Sequence, residues 1–342
     1  MGAMGGRNMR ASFLALSPRF SLVGNGRTCP IGVGRGVSVA LLASVLLSAA
    51  GCMPWESYDS VLARVPAGEF VDIEGQSVHI ERAGAGETVL LLHGFGGSTF
   101  EWRKIMPGLA GSFDVLAVDL NGFGYTERPV AAEAYSPAGQ LELVIRLLDR
   151  LGIQQVHVVG HSYGAGVALH LAARHPQRVR SLVIVDGVQE LAQFGGLRVP
   201  AVLKPAARWY LGNVVLTTRN IRGALRDAVY DKTVVTADMV EGYLTRLRVE
   251  GFDLAFDGFL APVADPLPLL ELPEIEHPAL LIWGEHDTVF DVSLAVEMAD
   301  ALPYAQLVRL QRSGHLPMEE EPEAFLRAVR TFLAARMEDA QR

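Results

Sequence analysis

Apolar residues along this chain gather in short, nearly continuous runs, and each run is followed by a helix-like spacing of apolar positions. The runs are Thr88–Leu92, Phe113–Leu120, Gln155–Val159, Ser181–Val185, Ala279–Trp283 and Gln306–Leu310. Runs of four to eight such residues read as strands buried on both faces. Between and after them, Thr99–Ala110, Pro137–Leu151, the stretch through Ala173, Val292–Ala301 and Glu321–Met337 predict helices. Ser136 and Pro137 supply a cap and a first-turn proline for the second of these. Ahead of the first run, Phe70–Ile73 and Ser77–Ile80 alternate polar and apolar residues around Glu74-Gly75-Gln76, which predicts a hairpin. Strands alternating with helices imply an α/β fold with a mostly parallel, doubly wound sheet.

The alternation fails between residues 188 and 276. There the pattern is helical in pieces, over Val202–Leu211, Ile221–Ala228 and Ala237–Val249, with aromatic residues scattered among them. An insertion of this length between consecutive strands reads as a helical cap set late in the sheet. The body therefore divides into a first core part at 67–187, the cap at 188–276 and a second core part at 277–342.

Residues 1–51 carry five charges, all arginine (Arg7, Arg10, Arg19, Arg27, Arg35), ahead of an uncharged run from Val37 to Gly51. Small residues end that run, and Cys52 follows. Three readings compete: a lipoprotein signal with Cys52 lipidated, a membrane anchor extended to Trp55, or a cleaved export signal. Ser48-Ala49-Ala50-Gly51-Cys52 resembles a bacterial lipobox, with Ala49 where leucine is commonest. Each reading puts the body outside the cytoplasm, attached to the membrane in the first two, and 52–66 reads as a polar linker. The remaining 25 basic and 38 acidic residues give the body a net charge of −13, which argues against nucleic-acid binding. Cys29 and Cys52 are the only cysteines, so the body has no disulfide framework and no thiolate metal site.

The candidate chemistry centres on Gly160-His161-Ser162-Tyr163-Gly164, where a valine-rich strand turns sharply into a helix. Ser162 at the apex needs neighbours without bulk two residues away on either side, and Gly160 and Gly164 meet that need. A serine hydroxyl also needs a base, and the base needs an orienting acid. His315 follows Ser313-Gly314 beyond the last strand and reaches the same sheet edge. His79, His157, His170 and His175 read as structural, His93 and His161 as parts of the turns, and His277 and His286 as outsiders. Asp287 in Trp283-Gly-Glu-His-Asp is the first choice of acid and Asp186 the second. The bland reading of Asp287, a loop acid capping the next helix, is a task Asp291 could perform. Two N–H donors must face the developing oxyanion; Tyr163 comes with the turn, and Phe95 in His93-Gly94-Phe95-Gly96-Gly97 is the choice for the second. The glycine-rich loop lacks the Gly-Lys-Ser/Thr ending of a phosphate cradle. No cofactor and no metal is expected.

From about 68 to 338 the chain resembles the capped α/β-hydrolases. The matching motifs are His93-Gly94-Phe95, Asp119-x-x-Gly122-x-Gly124-x-Thr126, Gly160-His161-Ser162-Tyr163-Gly164, Trp283-Gly284-Glu285-His286-Asp287 and Gly314-His315, in family order. The resemblance implies Ser162 as nucleophile, Asp287 as acid, His315 as base, and Phe95 and Tyr163 as oxyanion donors, with Asp119, Gly122 and Gly124 as loop architecture. Epoxide hydrolases and dehalogenases of this fold carry aspartate where Ser162 stands. Carbon–carbon hydrolases tend to carry tryptophan after the catalytic histidine, where this chain has Leu316. The resemblance thus implies first an esterase or lipase acting on a small-molecule carboxylic ester with an acyl or aromatic part. A carbon–carbon hydrolase or acyltransferase using the same residues is the alternative, and a non-catalytic binding protein ranks behind both.

Overall fold

The computed structural model describes residues 55–66, 69–189, 200–260 and 267–340. The lipidation candidate Cys52 and the apolar run before it lie outside these residues. Among the described residues no helix is long and apolar enough to cross a membrane.

Eight strands form one sheet: β1 (Phe70–Ile73), β2 (Gln76–Gly84), β3 (Thr88–Leu92), β4 (Asp114–Val118), β5 (Val156–His161), β6 (Val179–Val185), β7 (Ala279–Gly284) and β8 (Ala305–Leu310). Their spatial order is β1-β2-β4-β3-β5-β6-β7-β8. β1 pairs antiparallel with β2 and β2 with β4, while every later pairing is parallel. Alternate residues serve opposite faces. Leu90, Leu92, Leu116, Val158, Leu182 and Ile184 bury toward one side, with Leu148 and Leu169. Val89, Leu91, Val115, Val159, Val183 and Ile282 bury toward the other, with Trp102 and Phe325. Covering both faces explains why strands β3 to β7 read as unbroken apolar runs rather than alternating ones.

The α-helices of seven residues or more, in chain order, are α1 (Tyr58–Arg64), α2 (Pro137–Arg150), α3 (Tyr163–Arg174), α4 (Lys204–Tyr210), α5 (Thr218–Ala228), α6 (Ala237–Leu247), α7 (Phe252–Leu260), α8 (Val292–Ala301) and α9 (Pro322–Ala340). Helices α4 to α7 occupy the insertion between β6 and β7, where the sequence predicts the cap. Ser136 caps α2 as expected, its Oγ accepting the Gly139 N–H at 3.1 Å.

Two expectations need correction. The stretch Thr99–Ala110 is not one helix: a tight turn at Thr99–Trp102 and a separate turn at Met106–Leu109 replace it. Pro107 has no N–H to bond back to Arg103, so a continuous ladder cannot pass that point. Residues 57–65 are also not a plain linker. Ser57 Oγ accepts from Ser60 N–H at 3.3 Å to start α1, and Val61 packs with Val65, Tyr125 and Val249. Glu56 N–H donates to Arg248 O at 2.8 Å, and Glu250 N–H donates back to Glu56 O at 2.8 Å. This segment is therefore tied to the loop after α6.

Candidate active site

Backbone strain marks the turn between β5 and α3. Ser162 has φ +50° and ψ −111°, and a non-glycine residue with positive φ costs about 1–3 kcal/mol. The turn is held because Ser162 N–H donates to Val185 O of the neighbouring strand at 2.9 Å. The two glycines are sterically required. A Cβ on Gly160 would lie 2.4 Å from Gly164 O, and one on Gly164 would lie 2.3 Å from Leu92 O.

The structure brings Ser162, His315 and Asp287 together. His315 Nε2 lies 3.0 Å from Ser162 Oγ, and His315 Nδ1 lies 2.8 Å from Asp287 Oδ2. The second Asp287 oxygen accepts the N–H groups of Val289 and Phe290 at 2.7 and 3.1 Å, which fixes the carboxylate in its loop. Asp291 takes the helix-capping role, accepting Ser293 N–H at 2.9 Å. An acceptor at Nδ1 places the proton there and leaves Nε2 free to take one from the hydroxyl. Burial pushes the His315 imidazole below its ordinary range; Asp287 pulls it up without outweighing that, and His161 adds to the lowering. His315 is therefore neutral near pH 7, the state that can accept a proton.

Asp186, the second-choice acid, sits beside the first. One oxygen each of Asp186 and Asp287 and one nitrogen of His315 lie within 4.8 Å of one another. Asp186 Oδ1 accepts Gly284 N–H at 2.8 Å. Burial, followed by the charge of Asp287, raises the Asp186 carboxyl well above the usual carboxylate range, so it stays protonated. Among the described residues this is the one acidic and histidine cluster compact enough for a metal ion. Two of its three members, His315 and Asp287, are already joined at hydrogen-bond distance.

The loop after β3 lies directly against Ser162, since a Cβ on Gly94 would stand 3.3 Å from Ser162 Cβ. That proximity puts the backbone around Phe95 beside Ser162. Tyr163 is the first residue of α3, where helix N–H groups have no partner within the helix. The Phe95 ring meets Phe123 and Phe259 at 5.2 Å each and Tyr163 at 6.2 Å, in edge-on geometry. Phe259 belongs to cap helix α7, which the sequence analysis missed, so the cap closes this side with aromatic surface.

The other histidines fall into structural places. His93 Nδ1–H donates to Gly94 O at 2.7 Å and its Nε2 accepts Leu120 N–H at 3.0 Å. His79 Nδ1 meets Asp119 Oδ2 at 2.7 Å, while Asp119 also accepts from Thr99 and Tyr125 N–H, fitting its reading as loop architecture. His157 lies 2.7 Å from Ser181 Oγ, and His286 stacks on Tyr230 with centroids 4.0 Å apart. Burial lowers His170 to about 4. Glu101, which the sequence analysis did not single out, is buried and lies 2.8 Å from Nδ1 of His161, the residue before Ser162.

Comparison with known proteins bears on the fold and family. A family profile described as alpha/beta hydrolase fold matches residues 87–322. The chain is 33% identical over 273 residues to 2-hydroxymuconate semialdehyde hydrolase of Pseudomonas putida, covering 76% of this chain and 92% of that protein. A solved meta-cleavage product hydrolase from Pseudomonas fluorescens IP01 superposes with a TM-score of 0.66 at 25% identity, over 78% of this chain and 98% of the other. A bacterial membrane phospholipase A superposes with a TM-score of 0.63 at 27% identity, over 87% of this chain and 97% of the other.

Proposed function

We propose, for a chain that belongs to the alpha/beta hydrolase family, hydrolysis of a carbonyl substrate through an acyl-enzyme on Ser162. The observation that carries this reading is the continuous line from Ser162 Oγ to His315 Nε2 at 3.0 Å and from His315 Nδ1 to Asp287 Oδ2 at 2.8 Å. His315 takes the hydroxyl proton as Ser162 Oγ bonds to the carbonyl carbon, and the resulting imidazolium is stabilised by Asp287. The carbonyl oxygen, now negative, is received by the N–H groups of Tyr163 and Phe95, each worth roughly 3 kcal/mol in the transition state. The proton passes from His315 to the leaving group, whose bond to the carbonyl carbon breaks. Water, deprotonated by His315, then attacks the acyl-enzyme and releases the acid and free Ser162.

The bond broken separates two versions of this reading. Two relatives are named as hydrolases of 2-hydroxymuconate semialdehyde and of 2-hydroxy-6-oxo-2,4-heptadienoate, compounds with no ester bond, so that hydrolysis must break a carbon–carbon bond; their similarity over most of their lengths favours that version over the ester hydrolysis that the sequence put first. In it the leaving group is a carbon that receives the proton from His315. Ester hydrolysis is the second version. It is favoured by the half-buried Phe95 ring, backed by Phe123, Tyr163 and Phe259 as an apolar site for an acyl chain, by Leu316 after the base, and by the likeness to the phospholipase. Purified wild type should be compared on a ring-fission-type 2-hydroxy-6-oxo-dienoate and on p-nitrophenyl esters of graded chain length. The leading version expects kcat/KM at least about tenfold higher on the dienoate, a difference of about 1.4 kcal/mol. A tenfold preference for any ester reverses the order of the two.

Attachment of the body outside the cytoplasm through residues 1–52 is part of the same proposal. It is supported by the arginines ahead of the apolar run Val37–Gly51 and by the small residues before Cys52. Loss of metabolic lipid labelling in Cys52→Ser supports the lipoprotein form, and labelling that persists contradicts it.

A further inference from the structure

Behind the nucleophile, three separate segments meet at one buried ion pair. Glu101 Oε1 lies 2.8 Å from His161 Nδ1, with the two side chains 2% and 3% exposed. On its other side, His161 Nε2 lies 2.8 Å from the backbone oxygen of His315. Glu101 also faces the loop after β3, where Gly94 N–H points to its Oε1 at 3.4 Å. The packing leaves no slack there: a Cβ on Gly97 would stand 2.6 Å from Glu101 Oε2, and one on Gly94 would stand 2.7 Å from His161 Nδ1. The residue preceding the nucleophile is thereby tied to the loop carrying the base and to the loop expected to receive the oxyanion.

His161 has an oxygen within 2.8 Å of each ring nitrogen. At Nε2 the contact is a hydrogen bond to a carbonyl, so Nε2 carries a proton; at Nδ1 the Glu101 oxygen lies at ion-pair distance but off the line of an N–H···O bond, and its negative charge favours a second proton on the ring. Charge in a site this dry is tolerated only when paired.

We infer that Glu101 and His161 are positioning residues, forming a carboxylate–imidazolium pair that locks the base loop and the oxyanion loop to the nucleophile turn and sets a fixed positive charge beside His315. This rests on the reading of Ser162 and His315 as nucleophile and base. The rings of His161 and His315 are 4.9 Å apart, so the positive end of the pair is the end nearer the base. The groups around the pair are His93 from the loop after β3, Tyr243 from cap helix α6, and Asp287 from the loop after β7, which itself faces Asp186. Burial opposes both charges, yet each outweighs it for the other: His161 is held above the ordinary imidazole range and Glu101 below the carboxylate range. His161 in turn disfavours protonation of His315.

The test is nitrogen NMR of ring-labelled histidine at about pH 7.5, where an unperturbed imidazole is roughly nine-tenths neutral. Wild type should show an imidazolium signal that disappears in His161→Gln and in the isosteric Glu101→Gln, while the His79 signal, paired with Asp119, persists. The kcat/KM profile of both variants should move its acid limb upward, by about half a pH unit or more in His161→Gln, with kcat falling more than KM rises. Should His161→Gln fail to fold, Glu101→Gln carries both readouts. A wild-type spectrum with no imidazolium assignable to His161, or variants whose acid limb stays in place, overturns the inference. Fluorophosphonate labelling of Ser162 separates the two levels: no labelling in wild type defeats the functional reading alone, whereas normal labelling without the imidazolium defeats only the pair.

Discussion

His315 Nε2 stands 3.0 Å from Ser162 Oγ although 153 positions separate them in the chain. The closeness follows from topology. β5 lies inside the sheet, the strands after it run parallel to it, and each returns its following loop to the same edge. Open parallel sheets place ligands at that edge.

The pH dependence of activity follows from the state of His315. Burial lowers its proton affinity more than Asp287 restores it. The proposed base works when neutral, so the acid midpoint of kcat/KM should fall below about 6.5, the ordinary imidazole value. A pH–rate profile with its acid midpoint above that value contradicts this account of the site.

Two neighbouring carboxyl groups should respond oppositely to amide substitution. Asp287→Asn removes the charge that orients His315 and should lower kcat by about 10⁴. Asp186 is already protonated, and Asp186→Asn keeps an oxygen for the Gly284 N–H and a donor toward Asp287. Its kcat should stay within about threefold of wild type, well under 1 kcal/mol. Steady-state kinetics of the pair checks this, and a larger loss from Asp186→Asn would exchange their roles.

Glycine-to-alanine changes at two helical positions should also diverge. A methyl group at Gly164 meets Leu92 O at 2.3 Å, backbone that cannot step aside, so Gly164→Ala should cost at least about 1–3 kcal/mol. Gly223 in α5 has nothing within 4 Å of the added carbon, and Gly223→Ala should gain about 0.5–1 kcal/mol from the helix backbone. Thermal unfolding of the two variants beside wild type gives both signs. Equal stability of the two would mean that the nucleophile turn is looser than its geometry indicates.

Much of this was legible from residue pattern because the determining interactions are local or periodic. Strands covered on both faces must be apolar throughout, and the Gly160-x-Ser162-x-Gly164 spacing is imposed by contacts within the turn itself. Ser162, Asp287 and His315 were found by their positions at strand ends. What escaped was set by tertiary partners. Helix α1 buries one apolar residue, Val61, which leaves no periodicity to read. Helix α7 spans only nine residues, little more than two turns, too short for its period to stand out, and so Phe259 went unnoticed beside Phe95. Glu101 drew no reading of its own inside the predicted helix Thr99–Ala110, because its partner His161 lies 60 positions on. Residues 57–65 read as linker because the backbone of Glu56 finds its partners far along the chain, at Arg248 and Glu250.

The central claim is that Ser162 is the group made nucleophilic by His315 and Asp287. Its most direct measurement is mass-spectrometric location of a fluorophosphonate adduct on the purified protein, with Ser162→Ala and His315→Ala alongside. The account predicts one adduct on Ser162 in wild type, none in Ser162→Ala, and labelling slowed by about a thousandfold or more in His315→Ala. An adduct on another residue, or labelling that survives Ser162→Ala, contradicts it.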